Sequence, residues 1–223
     1  MCKDLELPRC GCIYLPVSIQ RRHFAPGLLA LGLLAGMTSA LPALAQDKAP
    51  PRMVEGQPFV QRLNLVGSDL RLNGTGVRAV AWFKGYAAGL YLTRPGTSMA
   101  EVLDAPGPKR LQLRMLQDVP AEEFVKALNK GVERNTPAAE MPALRPQMQA
   151  FAEHINKLGT VRKGDTVDLD LDPARGMLFS VNGTLRAEPL PGDGLHKALL
   201  RSFLGDHPYD RKLKAGLLRG PEN

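Results

Sequence analysis

Cysteine is nearly missing from this chain. Of its 223 residues three are cysteines, and Cys2, Cys10 and Cys12 all stand within the first twelve positions. Disulfides, thiolate metal sites and cysteine nucleophiles are thereby excluded from everything downstream. Histidine is scarce as well. His154, His196 and His207 are scattered without metal-ligand spacing, so they are assigned to the surface, and neither a metal nor a cofactor is expected. No serine stands in a nucleophile elbow, and no glycine-rich loop has the form that cradles phosphate. Aromatic residues make up 5% of the chain, with one tryptophan. A basic stripe with interleaved aromatics is also lacking: the net charge is +7, but positives alternate with acids (Asp118/Lys126, Lys163/Asp165, Asp210/Lys212). That pattern describes a solvated surface and argues against nucleic acid as a partner.

A long hydrophobic run is present once. Arg21-Arg22 precede an uncharged stretch, Phe24 to Gln46, that contains Leu28, Leu29, Leu31, Leu33 and Leu34, and Ala43-Leu44-Ala45 has the small-x-small form of a cleavage site. Residues 1–45 therefore read as a bacterial-type signal segment, which directs the chain to the periplasm and leaves no membrane span after the cut. The arginine pair also fits twin-arginine export, but no Ser or Thr precedes it, which favours the general secretory route. Residues 1–20 are too long and too mixed in charge for the start of a signal and read as an extension upstream of the true translation start. Cleavage after Ala45 leaves 178 residues, removes four cations and two acids, and lowers the net charge to +5. That length suffices for one domain with its own core.

Residues 46–58 are rich in proline and charge and are expected to be a flexible leader; residues 59–220 are expected to form a single domain. Leu63 and Leu65, then Gly67-Ser68-Asp69, then Leu70 and Leu72 predict two short strands about a turn. Gly74 and Gly76 mark a second turn, before the run Val77–Leu92. Strand alternation puts Arg78 on one face with Val80, Trp82 and Lys84, and puts Tyr86 with Ala88, Leu90 and Leu92. Gly85 and Gly89 suggest a bulge or a close approach of backbone. Thr97 or Ser98 caps a short helix through Leu103, and Lys109–Val119 alternates as a strand with Leu111, Leu113 and Met115 inward and a wet face outward.

Two helices follow. The first carries Phe124, Val125, Leu128 and Val132 on one face behind Pro120, Glu122 and Glu123; Asn135-Thr136-Pro137 closes it. The second carries Leu144, Met148, Phe151, Ile155 and Leu158, with Pro146 limiting it upstream and Gly159 ending it. A three-strand meander comes next: Val167, Leu169 and Leu171 alternate with acids, Met177–Val181 returns, and Asn182-Gly183 is the dipeptide of tight hairpins. A helix from Leu195 to Phe203, ended by Gly205, and a last one over Lys212–Leu218 complete the chain. Strands first and helices between and after predict α+β with an antiparallel sheet.

The motifs Gly76-Val77-Arg78, Lys84-Gly85-Tyr86-Ala87-Ala88-Gly89-Leu90-Tyr91-Leu92, Glu133-Arg134-Asn135, Lys163-Gly164-Asp165, Val181-Asn182-Gly183 and Phe203-Leu204-Gly205 with Leu213-Lys214 together resemble the chalcone isomerase superfamily, in its bacterial, exported, chalcone isomerase-like branch. The resemblance implies an open-faced β-sandwich, a large antiparallel sheet with helices packed on one face and a ligand cleft between. In the plant enzymes an arginine at the place of Arg78 stabilises the phenolate that attacks an enone. Those enzymes carry a threonine where this chain has Tyr86, and a catalytic tyrosine where it has Leu128. Losing one oxyanion donor typically costs about a hundredfold or more in rate. The fatty-acid-binding members hold a carboxylate with an arginine and a tyrosine, which Arg78 and Tyr86 resemble.

The resemblance thus implies a periplasmic binder of a fatty acid or similar amphipathic carboxylate, with Arg78, Tyr86 and Asn135 as ligand residues. The alternative is an intramolecular lyase acting on a chalcone-like enone, with Arg78 catalytic; a third reading is an envelope accessory protein with a vestigial cleft. Each site residue also has a plain structural reading: Arg78 as a strand cation paired with an acid, Tyr86 as core aromatic, Asn135 as a helix cap.

Overall fold

The computed structural model describes residues 49–80 and 83–220. The signal segment 1–45, its cut site, the extension 1–20 and Trp82 lie outside the described residues. In chain order the strands begin with β1 (Arg52–Val54), β2 (Gln57–Phe59), β3 (Arg62–Leu65), β4 (Ser68–Val80) and β5 (Phe83–Leu92). Helix α1 (Met99–Asp104) and strands β6 (Lys109–Met115) and β7 (Val119–Pro120) lead to helices α2 (Ala121–Asn135) and α3 (Met141–Asn156). Strands β8 (Thr160–Val161), β9 (Thr166–Asp172), β10 (Gly176–Val181) and β11 (Thr184–Leu185) then precede α4 (Gly194–Leu204) and α5 (Arg211–Leu217).

Seven of these strands form one antiparallel sheet in the order β11-β10-β9-β6-β5-β4-β3. The helices pack on one face, where Leu90, Leu111, Leu113, Leu169 and Phe179 meet Leu128, Val132, Phe151, Ile155 and the apolar residues of α4. Helix α4 touches the other four helices and β9. Central placement explains why eight of its eleven residues are buried, with no single apolar stripe. The opposite face holds a smaller cluster, Phe59, Leu65, Leu70, Leu72, Ala87 and Tyr91. The architecture is the predicted α+β fold, a curled antiparallel sheet with helices on one side.

Local departures from the sequence reading have identifiable causes. Part of the expected leader is a hairpin, β1 with β2, and a second hairpin joins β3 to β4 through Val66-Gly67, one residue earlier than the turn expected at Gly67–Asp69. Glu55-Gly56, Val66-Gly67 and Asn182-Gly183 all have positive φ at both residues, the conformation that matches the twist of two-residue hairpins. Gly74 and Gly76 are not a turn but lie inside β4. Their bare backbone admits α5: a Cβ on Gly74 would overlap the carbonyl oxygens of Gly216 and Leu217, and one on Gly216 would overlap the Thr75 carbonyl. Pro146 falls inside α3, which starts at Met141, five residues upstream of it. Such a proline costs about 3 kcal/mol, and burial of Leu144, Met148, Phe151 and Ile155 offsets it at roughly 1.5–3 kcal/mol each.

The outer face of β6 is not wet. Arg110 lies opposite Asp170, and Gln112 opposite Asp168. The Arg110 Nε and Nη2 donate to the two Asp170 oxygens at 2.7 and 2.6 Å, and Gln112 donates to Asp168 at 2.8 Å. The acids that alternate with Val167, Leu169 and Leu171 in β9, Asp168, Asp170 and Asp172, are buried. A bidentate guanidinium makes that burial tolerable. His196, assigned to the surface, is 1% exposed inside α4.

Candidate functional site

The site is built where β4 and β5 lose register. Arg78 pairs directly with Tyr86, but the next pair is Ala79 with Lys84, so Gly85 is the extra residue of a bulge. Bulges re-aim side chains, and here Arg78 and Tyr86 reach one cavity of about 90 Å³. Leu128 and Phe124 of α2 and Leu199 and Phe203 of α4 form its apolar walls, and Tyr209 closes it from the loop between α4 and α5. The three rings touch in sequence. Phe203 lies tilted against Tyr86 at 6.4 Å between centroids and edge-on to Tyr209 at 5.0 Å. Room for Tyr209 comes from Gly131 of α2, where a Cβ would overlap the phenol.

Arg78 stands at the polar end. Its Nη1 donates to the Ala79 carbonyl at 3.0 Å and lies 3.9 Å from the Asp210 carboxylate, and 29% of its side chain stays exposed. Among the described residues that is the guanidinium's only hydrogen bond, so most of its donors face the cavity mouth and solvent. Asp210 caps α5 by accepting from the amides of Lys212 at 2.7 Å and Leu213 at 3.0 Å, and it accepts from Ala79 at 3.3 Å. Burial pushes the Asp210 carboxyl up, but those amides and Arg78 outweigh it and hold the group below the ordinary aspartate range. Burial raises the Tyr86 phenol far above its usual value, with Tyr209 adding to it and Arg78 partly opposing. Tyr209 is pushed up to about 12, chiefly by burial. Both phenols therefore remain protonated donors in neutral solution.

Arg78 and Tyr86 are thus brought together, and Asn135 stands apart from them. Its Nδ2 donates to the carbonyls of Gly131 and His207, both at 2.9 Å, and its Oδ1 accepts from the His207 amide at 2.9 Å. It clamps the end of α2 to the segment that carries Tyr209 and Asp210, and it does not line the cavity. Tyr209, Asp210 and Phe203 are the members that sequence reasoning missed. Asp210, two residues before the expected helix start, had the signal of an N-cap; Tyr209 had none.

A curled antiparallel sheet with one helical layer and a small amphipathic cavity between them defines an open-faced sandwich of ligand-cleft type. The family model described as chalcone isomerase-like matches residues 51–219, and the chain belongs to that family. Among solved structures it is similar to a fatty-acid binding protein of Arabidopsis thaliana, with a TM-score of 0.58 and 15% identity over 75% of this chain and 95% of that one. That likeness is one of fold. No curated protein matches the chain in sequence.

Proposed function

We propose that this protein binds a small amphipathic carboxylate of the fatty-acid type, with the head group on Arg78 and the protonated phenols of Tyr86 and Tyr209 and the first carbons of the tail in the apolar cavity. The observation that carries the proposal is the direct cross-strand pairing of Arg78 with Tyr86 at the mouth of an otherwise apolar cavity. A guanidinium fork suits a carboxylate, and the phenols can donate only while neutral. The fatty-acid binding neighbour supports the choice of ligand class. At about 90 Å³ the cavity is well below the roughly 300–1,000 Å³ of ordinary small-molecule sites. It holds the head and a few carbons, and a longer tail must displace Leu128 or Phe203. A periplasmic setting belongs to the proposal and rests on the signal-like residues 21–46.

The same cation could serve an intramolecular lyase by stabilising a developing oxyanion. Leu128 puts a methyl-ended wall where that chemistry uses a hydroxyl, so binding is the better reading. Native mass spectrometry before and after organic extraction, followed by calorimetric titration of the emptied protein with a series of straight-chain carboxylates, tests it. Arg78→Ala should weaken carboxylate binding by about 2–5 kcal/mol, because the head group is left without its counter-charge. Unchanged affinity in that variant would remove Arg78 from the site, and turnover of a chalcone by the empty protein, lost on Arg78→Ala, would favour the lyase.

A further inference from the structure

Strand β6 runs from the Arg78 cavity to a second recess. Met115 lies opposite Tyr86 at one end, and Lys109 lies opposite Leu92 at the other. There an open cleft of about 520 Å³ lies between the end of α1, the ends of β6 and β9, and the start of α4. Lys109 lines it and is 4% exposed. Its stem is packed away while its ammonium opens into the cleft, and no hydrogen bond or ion pair to that ammonium is found among the described residues.

The carboxylates around the cleft are engaged elsewhere or stand further off. Asp193 bridges to Lys197 at 2.7 Å, and Asp172 bridges to Arg175 at 2.5 Å while accepting the amides of Ala174 and Arg175. Asp104, at the end of α1, attracts Lys109 only across a gap. From α4, Lys197 repels it, and the neighbouring His196 is neutral because burial lowers its pKa to about 4. Burial, and after it Lys197, hold the Lys109 ammonium below the usual lysine range, against the pull of Asp193 and Asp104. The geometry is that of an amine without a counter-ion at the wall of an accessible recess, which is how lysines become nucleophiles.

We propose that Lys109 is a reactive-amine site that takes a small aldehyde as an imine in this cleft, independently of the carboxylate cavity at the other end of β6. The neutral Nζ adds to the carbonyl carbon, the carbonyl electron pair moves to oxygen, and the carbinolamine so formed loses water. Both amine hydrogens leave with the former carbonyl oxygen, the C=N bond replaces C=O, and no oxidant or reductant is consumed.

The test treats the folded mature chain with limiting glycolaldehyde at neutral pH in the presence of cyanoborohydride, which fixes any imine as a secondary amine, and maps the labelled lysines by peptide mass spectrometry. Lys157, on the surface, and Lys126, paired with Glu123, are internal references. An amine whose pKa is lowered holds more free base near neutrality, so labelling of Lys109 should clearly exceed that of both references. Its rate should also level off at lower pH than theirs. Labelling of Lys109 at or below the rate of Lys157, or a pH profile that coincides with it, would overturn the proposal.

Discussion

Arg78 and Asp210 meet as a loose pair, 3.9 Å apart, at the place where a carboxylate must arrive. Asp210 is ionised and 15% exposed, so it repels an incoming anion while its backbone bonds start α5. Asparagine in its place keeps a side-chain oxygen for the Lys212 and Leu213 amides and removes the charge. A unit charge a few ångströms away in a half-exposed setting is worth on the order of 1 kcal/mol, so Asp210→Asn should tighten carboxylate binding by about three- to tenfold in calorimetry. Weaker binding would show instead that Asp210 is needed to hold Arg78. Leu128, 4% exposed, sets the depth of the cavity. Leu128→Ala should move the preferred tail to a greater length in the same titration series, at a stability cost of about 2–5 kcal/mol read from urea unfolding. If the length preference stays put, the tail does not run past Leu128.

Strand β4 and helix α5 touch backbone to backbone, and that contact places Asp210 beside Arg78. Asn73 fastens it: its Nδ2 donates to the carbonyls of Gly96 and Leu217, both at 2.8 Å, and its Oδ1 accepts from Gly96 at 2.9 Å. Gly74→Ala would drive a methyl into the Gly216 and Leu217 carbonyls, which cannot swing aside as a side chain could. We expect a loss of about 2–3 kcal/mol in urea unfolding, together with weaker carboxylate binding as α5 lifts; a variant as stable as the parent would mean that this contact is slack. The same contact shows what the sequence could reveal. Strand parity, helix stripes and the Asn182-Gly183 hairpin are local, and they gave the strands, α2 and the meander, while Arg78 and Tyr86 were joined only through the family resemblance. Gly74 and Gly76 look like turn residues in their own neighbourhood, and only a partner about 140 residues later explains them. Tyr209 reaches the cavity, and Asp210 reaches Arg78, from that same distant segment; Asp210 had only the signature of a helix cap, and Tyr209 had none.

Across the whole molecule several titratable groups are buried, among them His196 in α4 and Asp168 and Asp170 on β9. His196 is the one whose effect on stability is set by acid. Burial lowers its pKa from 6.5 to about 4, with the hydrogen bond to the Leu169 carbonyl at 3.3 Å opposing the shift and Lys109 reinforcing it. In the unfolded chain the ring takes up a proton near 6.5, whereas in the folded chain it resists until about 4. Its contribution is therefore complete above pH 6.5 and is lost as the pH falls toward 4, to a total of about 3 kcal/mol. Asp172, Asp193 and Asp210 are depressed below their ordinary 3.8, so the stability they lend disappears only in stronger acid. Asp170, raised by burial despite Arg110, has the opposite sign and becomes less costly to bury as acid protonates it. Between pH 7 and 4.5 the histidine dominates. Unfolding free energies from urea titrations at those two pH values should differ by about 2–3 kcal/mol in the parent. In His196→Gln, which keeps a donor for Leu169 but cannot titrate, the difference should fall to less than half of that. Equal losses in parent and variant would place the acid sensitivity in some other group.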